Sequence, residues 1–473
     1  MPVSHLPPAP KVELKDESRP SRDSDGPTGG LGKAADRLRS VRSRLRSNQH
    51  DAAHDPDEAG HAETSKQVKQ TLKKNPLVHG GKARLIADDS ALLGLIERLR
   101  QPGPDGRPAT FAYDSEFIGE STYRPKLCLI QVATADDIAL VDPLADVDLE
   151  PFWQLVGDSS VRKIVHAGEQ DLEPAVRLAG VEPKNVLDTQ VAAGFCQLPY
   201  PSSLAKLVDY VTSPDGTSGS GVRLGKGLTF SQWDQRPLSA KQLSYAADDV
   251  RFLPLVADWL DRHLAEDEQR REWCETECAA RCSADALAMS EHPWDRVKGT
   301  GGLDGKQQAI LRRLASWRET TAQREDLPPR VLVRDEVLVA LSRRPVKDLD
   351  KLSQTRHLPR PVAEQYGAEM LSAIQAGKAD DPVDVKNRAP EPSLQDKFTA
   401  DAVWALLQTI GHARGIDPSL LASRRETELL VRRHAAGRDI DRHRLLTGWR
   451  REAAGERLLH LLDGGEFTLR LGS

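Results

Sequence analysis

Apolar residues change their period along this chain, and the changes divide it. Between residues 83 and 165 they come in short blocks: Ala83–Ala87, Ala109–Tyr113, Lys126–Ala133, Ile138–Asp142 and Val161–Val165. Blocks of this length, bounded by turn formers, predict β-strands. The second pair is expected to form a hairpin around Thr134–Asp137. Helical spacing is interleaved: Ala91–Leu99, with Asp88, Asp89 and Ser90 as capping candidates, a helix entered near Asp171, and a long pattern over Leu238–Leu260. From about residue 303 the period is helical throughout, in Leu303–Thr320, Arg334–Ser342 and Pro361–Ala376, punctuated by Pro328-Pro329, Pro345 and Pro359. Asp380–Pro392 is a charged, proline-bearing linker, and Leu394–Leu462 forms a second helical set. The two sets share a faint repeat, Pro329-Arg330-Val331-Leu332 and Pro418-Ser419-Leu420-Leu421.

Residues 1–80 show little apolar periodicity and are rich in Pro, Gly, Ser and charge, so they are expected to be largely disordered. Within them, Lys33 to Arg46 carries six cationic residues against Asp36, either a solvated tail or a basic segment that touches nucleic-acid phosphates. A chain of 473 residues exceeds one core, so several domains are expected. The formal net charge of −5 gives no global basic signature; nucleic-acid binding would rest on local patches. No apolar run approaches the length of a membrane span, and the N-terminus has no basic region followed by an apolar core; a cytoplasmic protein is expected.

The chemistry concentrates in three places. Asp114 and Glu116 end the strand Ala109–Tyr113; residues two apart on a strand share a face, so these carboxylates project together. Asp171 follows His166-Ala167-Gly168-Glu169-Gln170. Tyr245 and Asp249, four apart on a helix, share a face. Gathered together, four carboxylates repel one another unless cations intervene, and hard oxygen ligands select Mg²⁺ or Mn²⁺. Taken singly, the same residues read as strand-end charges, a helix cap and a solvated helix face; only the set in this order argues for a site.

That set resembles the three-part exonuclease motif of the DEDD superfamily in its tyrosine-bearing branch. The run Trp233-Asp234-Gln235-Arg236-Pro237-Leu238 just before Tyr245-Ala246-Ala247-Asp248-Asp249 is similar to ribonuclease D and its relatives. The resemblance implies an α/β ribonuclease H-like exonuclease domain, a mixed sheet flanked by helices, over residues 82–268. It implies two all-α HRDC-like helical domains behind it, at 303–380 and, more loosely, 393–473. By resemblance, the protein is a 3′→5′ exoribonuclease releasing nucleoside 5′-monophosphates, acting on RNA with a free 3′ end such as tRNA precursors. Two divalent metal ions, Mg²⁺ or Mn²⁺, would be held by Asp114, Glu116, Asp171 and Asp249. Asp114 would bridge both, Glu116 and Asp249 would complete the site for the attacking water, and Asp171 would hold the second. Tyr245 would orient the water; an ordinary pKa of about 10 makes it a poor base.

Other residues carry two readings. Asp248 departs from the family pattern, where a small apolar residue is common, and is expected to be a surface carboxylate. His166 is expected to be structural because Tyr245 fills the place of the branch-defining residue. Asp188 caps a helix or orders the site. Lys226, Gln131 and Arg236 are either substrate contacts or structural, and Phe117 either wedges against a terminal base or packs in the core. Cys274, Cys278 and Cys282, spaced by four, are expected to be buried small hydrophobes on one helix face; a metal cluster would need a fourth ligand. Thr212–Gly221 reads as a loop near the site. Two rival functions stay open: a DNA repair or proofreading exonuclease, and a nucleic-acid-binding scaffold with a silent nuclease fold.

Overall fold

The computed structural model describes residues 75–103, 106–119, 122–213, 219–225, 232–288, 292–383 and 393–466. Lys226, the basic segment Lys33–Arg46 and almost all of the expected disordered extension lie outside them.

The predicted strands form one mixed sheet. β1 (Arg84–Ile86), β2 (Thr110–Ile118), β3 (Lys126–Ala133), β4 (Ile138–Val141), β5 (Arg162–Val165) and β6 (Val186–Asp188) lie in the order β1-β4-β3-β2-β5-β6. β2, β3 and β4 pair antiparallel as a meander, and β1, β5 and β6 add parallel strands at its sides. The expected hairpin is present: the Thr134 N–H donates to Asp137 O at 2.9 Å. β6 was not legible. It is three residues long, too short to show an alternating pattern.

Alternation along β2 assigns its faces. Phe111 and Tyr113 enter a core with Phe152, Leu172 and Ala175, under the helices α1 (Asp89–Leu99), α2 (Glu150–Gly157) and α3 (Glu169–Ala179). Fully burying Phe111 and Phe152 contributes roughly 1.5–3 kcal/mol each. The opposite face carries Ala112, Asp114 and Glu116 and is covered partly by α4 (Thr189–Gly194), α5 (Leu204–Thr212) and two helices near residue 250. The Leu238–Leu260 pattern is not one helix. It divides into α6 (Ala240–Arg251) and α7 (Leu253–Leu264) at Phe252, because Pro254 has no N–H to donate and its ring crowds the preceding turn. α8 (Glu268–Arg281) follows and carries Cys274 and Cys278, with Cys282 as its C-cap. Cys274, Cys278 and Cys282 are buried and unpaired, as expected of small hydrophobes.

The C-terminal half is helical. Gly305–Arg324, Asp335–Arg343 and Arg360–Ala379 surround a core of their own, with Leu314, Leu338, Met370 and Ile374 buried in it. Leu394–Ala413 and Arg424–Ala435 follow. Both members of the faint repeat are four-residue helices opened by proline, Pro329–Leu332 and Pro418–Leu421. Among the described residues no helix is long and apolar enough to cross a membrane.

Candidate active site

Asp114 and Glu116 lie on the β2 face that meets α6, and α6 packs across β2, β3 and β4. The start of α6 is fixed by a capping box in which Ser239 and Gln242 satisfy each other's backbone N–H groups. Ala246, Ala247 and Val250 are buried against the sheet. That anchoring turns Tyr245 and Asp249 toward the carboxylates of β2: Tyr245 hydrogen-bonds Asp249, and both feel the charge of Glu116. Trp233 packs beside the Tyr245 ring, with centroids 6.2 Å apart.

Asp171 arrives from the other face of the sheet, in the first turn of α3. Two residues of β2 hold it there. The Tyr113 hydroxyl donates to the Asp171 backbone carbonyl at 2.5 Å, and Ser115 Oγ donates to Asp171 Oδ1 at 2.5 Å. Tyr113 and Ser115 alternate with Asp114 and Glu116, so one strand supplies two carboxylates on one face and two anchors for a third on the other.

The carboxylates burden one another. Burial, then the charges of Asp171 and Asp249, push Asp114 well above the usual carboxylate range. Burial and the charges of Asp114 and Asp171 raise Glu116 to about 8. Asp249 is raised well above its usual value by burial and Glu116. Burial lifts Asp171 to about 6 against the opposing hydrogen bond from Ser115. Tyr245 is raised by burial and the charges of Asp249 and Glu116, so its hydroxyl keeps its proton. An oxygen-only set of this kind suits a hard divalent cation, which would relieve the repulsion. Among the described residues no three acidic, histidine or cysteine side chains are gathered closely enough to hold a metal ion as they stand. The donor chemistry nonetheless suits a hard cation, and one oxygen of Asp171 is engaged by Ser115.

The remaining candidates separate clearly. Asp188 both caps and orders: its carboxylate caps α4 and also accepts the N–H groups of Ala167 (3.0 Å) and Gly168 (3.2 Å). Ala167 has φ of 55°, a left-handed conformation costly for a β-carbon, and Asp188 secures that turn immediately before the helix of Asp171. His166 is structural. Its ring nitrogens contact Thr189 Oγ1 (2.9 Å) and Ser202 O (3.0 Å), and burial lowers its pKa.

Arg236 is not placed as a substrate contact. Its guanidinium grips Asp142 with two bonds of 2.5 and 2.6 Å and also reaches the carbonyls of Trp233 and Cys128. It ties the segment before α6 to the end of β4. Asp248 is not a free surface carboxylate. It pairs with Arg251 at 2.7 Å, and Arg251 in turn bonds the backbone carbonyls of His79 and Gly81. Phe117 packs partly buried against the core beneath α1–α3, beside a β-bulge at Glu116/Phe117. Of the expected loop Thr212–Gly221, residues 214–218 lie outside the described residues; its far flank is pinned by Asp209, which accepts from Gly219 (2.6 Å) and Gly221 (3.0 Å).

Residues 83–265 match the family model for a 3′-5′ exonuclease, and residues 307–374 match that of the HRDC domain. Ribonuclease D of Gluconacetobacter diazotrophicus is 33% identical over 391 residues, spanning 80% of this chain and 93% of the relative. The chain belongs to the ribonuclease D family. Ribonuclease D of Escherichia coli K12 is 30% identical over 390 residues, covering 80% of this chain and 98% of that one. A crystal structure of Escherichia coli RNase D, described as an exoribonuclease involved in structured RNA processing, superposes with a TM-score of 0.67 at 28% identity. That superposition covers 81% of this chain and 99% of the other. The architecture is the one expected, a mixed sheet flanked by helices followed by a helical region that contains an HRDC domain. As a ribonuclease D the protein is a 3′→5′ exoribonuclease.

Proposed function

We propose that this exoribonuclease trims the 3′ ends of structured RNAs, tRNA precursors among them, at a two-metal centre formed by Asp114, Glu116, Asp171 and Asp249. The observation that carries the reading is the convergence of these carboxylates from three elements: α6 packs across β2, Ser115 of β2 holds Asp171 of α3, and Asp114 lies close enough to Asp171 and Asp249 to feel both charges. Two bound Mg²⁺ or Mn²⁺ ions would neutralise the phosphate, acidify the attacking water and stabilise the leaving 3′ oxygen. Asp114, flanked by Glu116, Asp171 and Asp249, is suited to serve both ions. Tyr245, whose O–H is given to Asp249 and stays protonated at neutral pH, would accept a hydrogen bond from the water and so orient it rather than remove its proton. Water attack at the terminal phosphodiester breaks the P–O3′ bond and releases a nucleoside 5′-monophosphate.

The division into an exonuclease domain at 82–268, an HRDC domain at 303–380 and a second HRDC-like domain at 393–473 belongs to the same reading. So does a cytoplasmic location. The HRDC modules would hold folded RNA while its 3′ end enters the site.

The test uses 5′-labelled RNA and DNA of one sequence, with free or blocked 3′ ends, in Mg²⁺, Mn²⁺ or EDTA. A metal-dependent ladder from the free RNA end, stronger than on DNA, is expected. A DNA-preferring ladder would favour a repair exonuclease. Retardation without cleavage in either metal would favour a binding scaffold.

A further inference from the structure

Gln131 lies on β3 directly across from Asp114 in the antiparallel register, so the two side chains leave the sheet on the same face. Directly opposed residues have Cβ atoms about 4.5–5.5 Å apart. Gln131 is fully buried, at 0% exposure, among apolar neighbours; Leu140 is its partner on β4. Neither amide atom has a hydrogen-bond partner among the described residues. A buried amide left unpaired costs about 1–3 kcal/mol per group, and leucine fills nearly the same volume without that penalty. A sheet selected for stability alone would favour leucine at this position. Orphaned buried polar groups call for a reason, and the carboxylate next to this one supplies it.

We propose that Gln131 is a positioning residue for Asp114. With Asp114 engaged with cations, the Gln131 amide donates to its carboxylate from the neighbouring strand and fixes its orientation. The register that sets the two side chains opposite each other and the unpartnered amide together carry the assignment. This rests on the reading of Asp114 as a metal-holding residue.

The experiment compares full-length wild type, Gln131→Leu, Gln131→Glu and Asp114→Asn. Mn²⁺ affinity is followed by electron paramagnetic resonance, thermal stability without metal by calorimetry, and steady-state cleavage in Mg²⁺ on a labelled oligoribonucleotide. Gln131→Leu is expected to melt at the same or a higher temperature than wild type, to bind Mn²⁺ about 10–100-fold more weakly, and to lose kcat with little change in KM. Gln131→Glu, which places a like charge beside Asp114, is expected to bind Mn²⁺ with altered spectra and to cleave no better than Gln131→Leu. Unchanged Mn²⁺ affinity and kcat in Gln131→Leu, while Asp114→Asn loses Mn²⁺, would overturn the role of Gln131 alone. Unchanged Mn²⁺ binding in Asp114→Asn would overturn the site reading beneath it. A Gln131→Leu protein that melts well below wild type would show that the amide stabilises the metal-free fold, against the proposal.

Discussion

Ser115 stands between two of the carboxylates proposed to hold metal, yet it faces the other side of β2 and holds a third. Its bond to Asp171 joins residues 56 apart in sequence. Nothing local to Ser115 signals that partner; the signal appears only once α3 returns to the sheet. Asp114, Glu116, Tyr245 and Asp249 were legible because strand and helix periods alone put each pair on one face. Arg236 lay within reach as a charged residue in a proline-bearing run, but its role depended on Asp142, a partner that only the fold supplies. Gln131 stood out as a polar residue in an apolar strand, and only the register of β2 and β3 sets it opposite Asp114. A hydrogen bond to a charged group is worth about 1.5–3 kcal/mol, so Ser115→Ala is expected to lower kcat roughly tenfold or more, with RNA affinity little changed. Single-turnover cleavage measured beside RNA retardation checks this; parallel loss of both would mean that Ser115 supports binding or folding instead.

Elements were legible where their patterns were long and misjudged where a single residue interrupts them. β3 and β4 and the first helices appear close to their expected limits. Asp88 caps α1 by accepting from Ala91 N at 2.9 Å, one of the three capping candidates. The Leu238–Leu260 pattern ran through Pro254 because both halves bury apolar residues against the same sheet. α8 illustrates what spacing cannot reveal. Its Glu277 is buried and accepts from Trp449 Nε1 (2.9 Å), Arg450 (2.7 Å) and Arg281 (2.9 Å), all cross-links between the exonuclease half and the C-terminal helices or within α8. Burial alone would raise the Glu277 carboxyl, but Arg450, Trp449 and Arg281 hold it down to about 2. Burial also pulls Arg450 down, yet a guanidinium stays cationic throughout the accessible range. Because the folded pKa lies below the unfolded value, the carboxylate stabilises the protein fully above about pH 4.5, and that contribution is lost as pH falls toward 2. Its full size is roughly 3 kcal/mol. Urea unfolding of wild type and Glu277→Gln is expected to show a wide stability gap at pH 7 that narrows at pH 3. An equal gap at both pH values would contradict the pairing.

At the scale of the whole chain, the helical regions relate to the exonuclease differently. The Leu394–Leu462 set shares a core with it: Val403, Leu407, Leu420 and Trp449 lie in one apolar cluster with Val191, Phe195, Leu260 and Trp273. Asp417 N donates to Gly194 O at 2.7 Å, and the Phe195 and Trp449 rings are 5.0 Å apart. Deleting residues 303–473 would expose that cluster, so truncation is a poor test of RNA guidance. The 303–380 region has its own core and meets the β2–β3 connection at Tyr123, whose hydroxyl donates to Glu319 at 2.8 Å and whose N–H donates to Asp326 at 3.1 Å. It also bears a groove of about 680 Å³ lined by Lys298, Arg330, Arg334 and Arg343, with Asp335 and Glu336 among them. The net charge of −5 concealed such a patch, because charge totals average over faces. Lys298→Ala with Arg334→Ala is expected to weaken binding of folded RNA more than of short single strands and to flatten its salt dependence by about one to two phosphate contacts. Kd measured over a salt series on both RNAs checks this; equal weakening on both would count against a guiding role.

If one carboxylate constellation on β2, α3 and α6 performs the hydrolysis, removing the charge of Asp249 alone, as in Asp249→Asn, abolishes cleavage. Wild type and variant are compared under single-turnover conditions on 5′-labelled RNA with a free 3′ end in Mg²⁺, with RNA retardation measured on the same preparations. Abolished cleavage with RNA binding largely kept is the predicted result. Normal turnover by Asp249→Asn would contradict the site assignment.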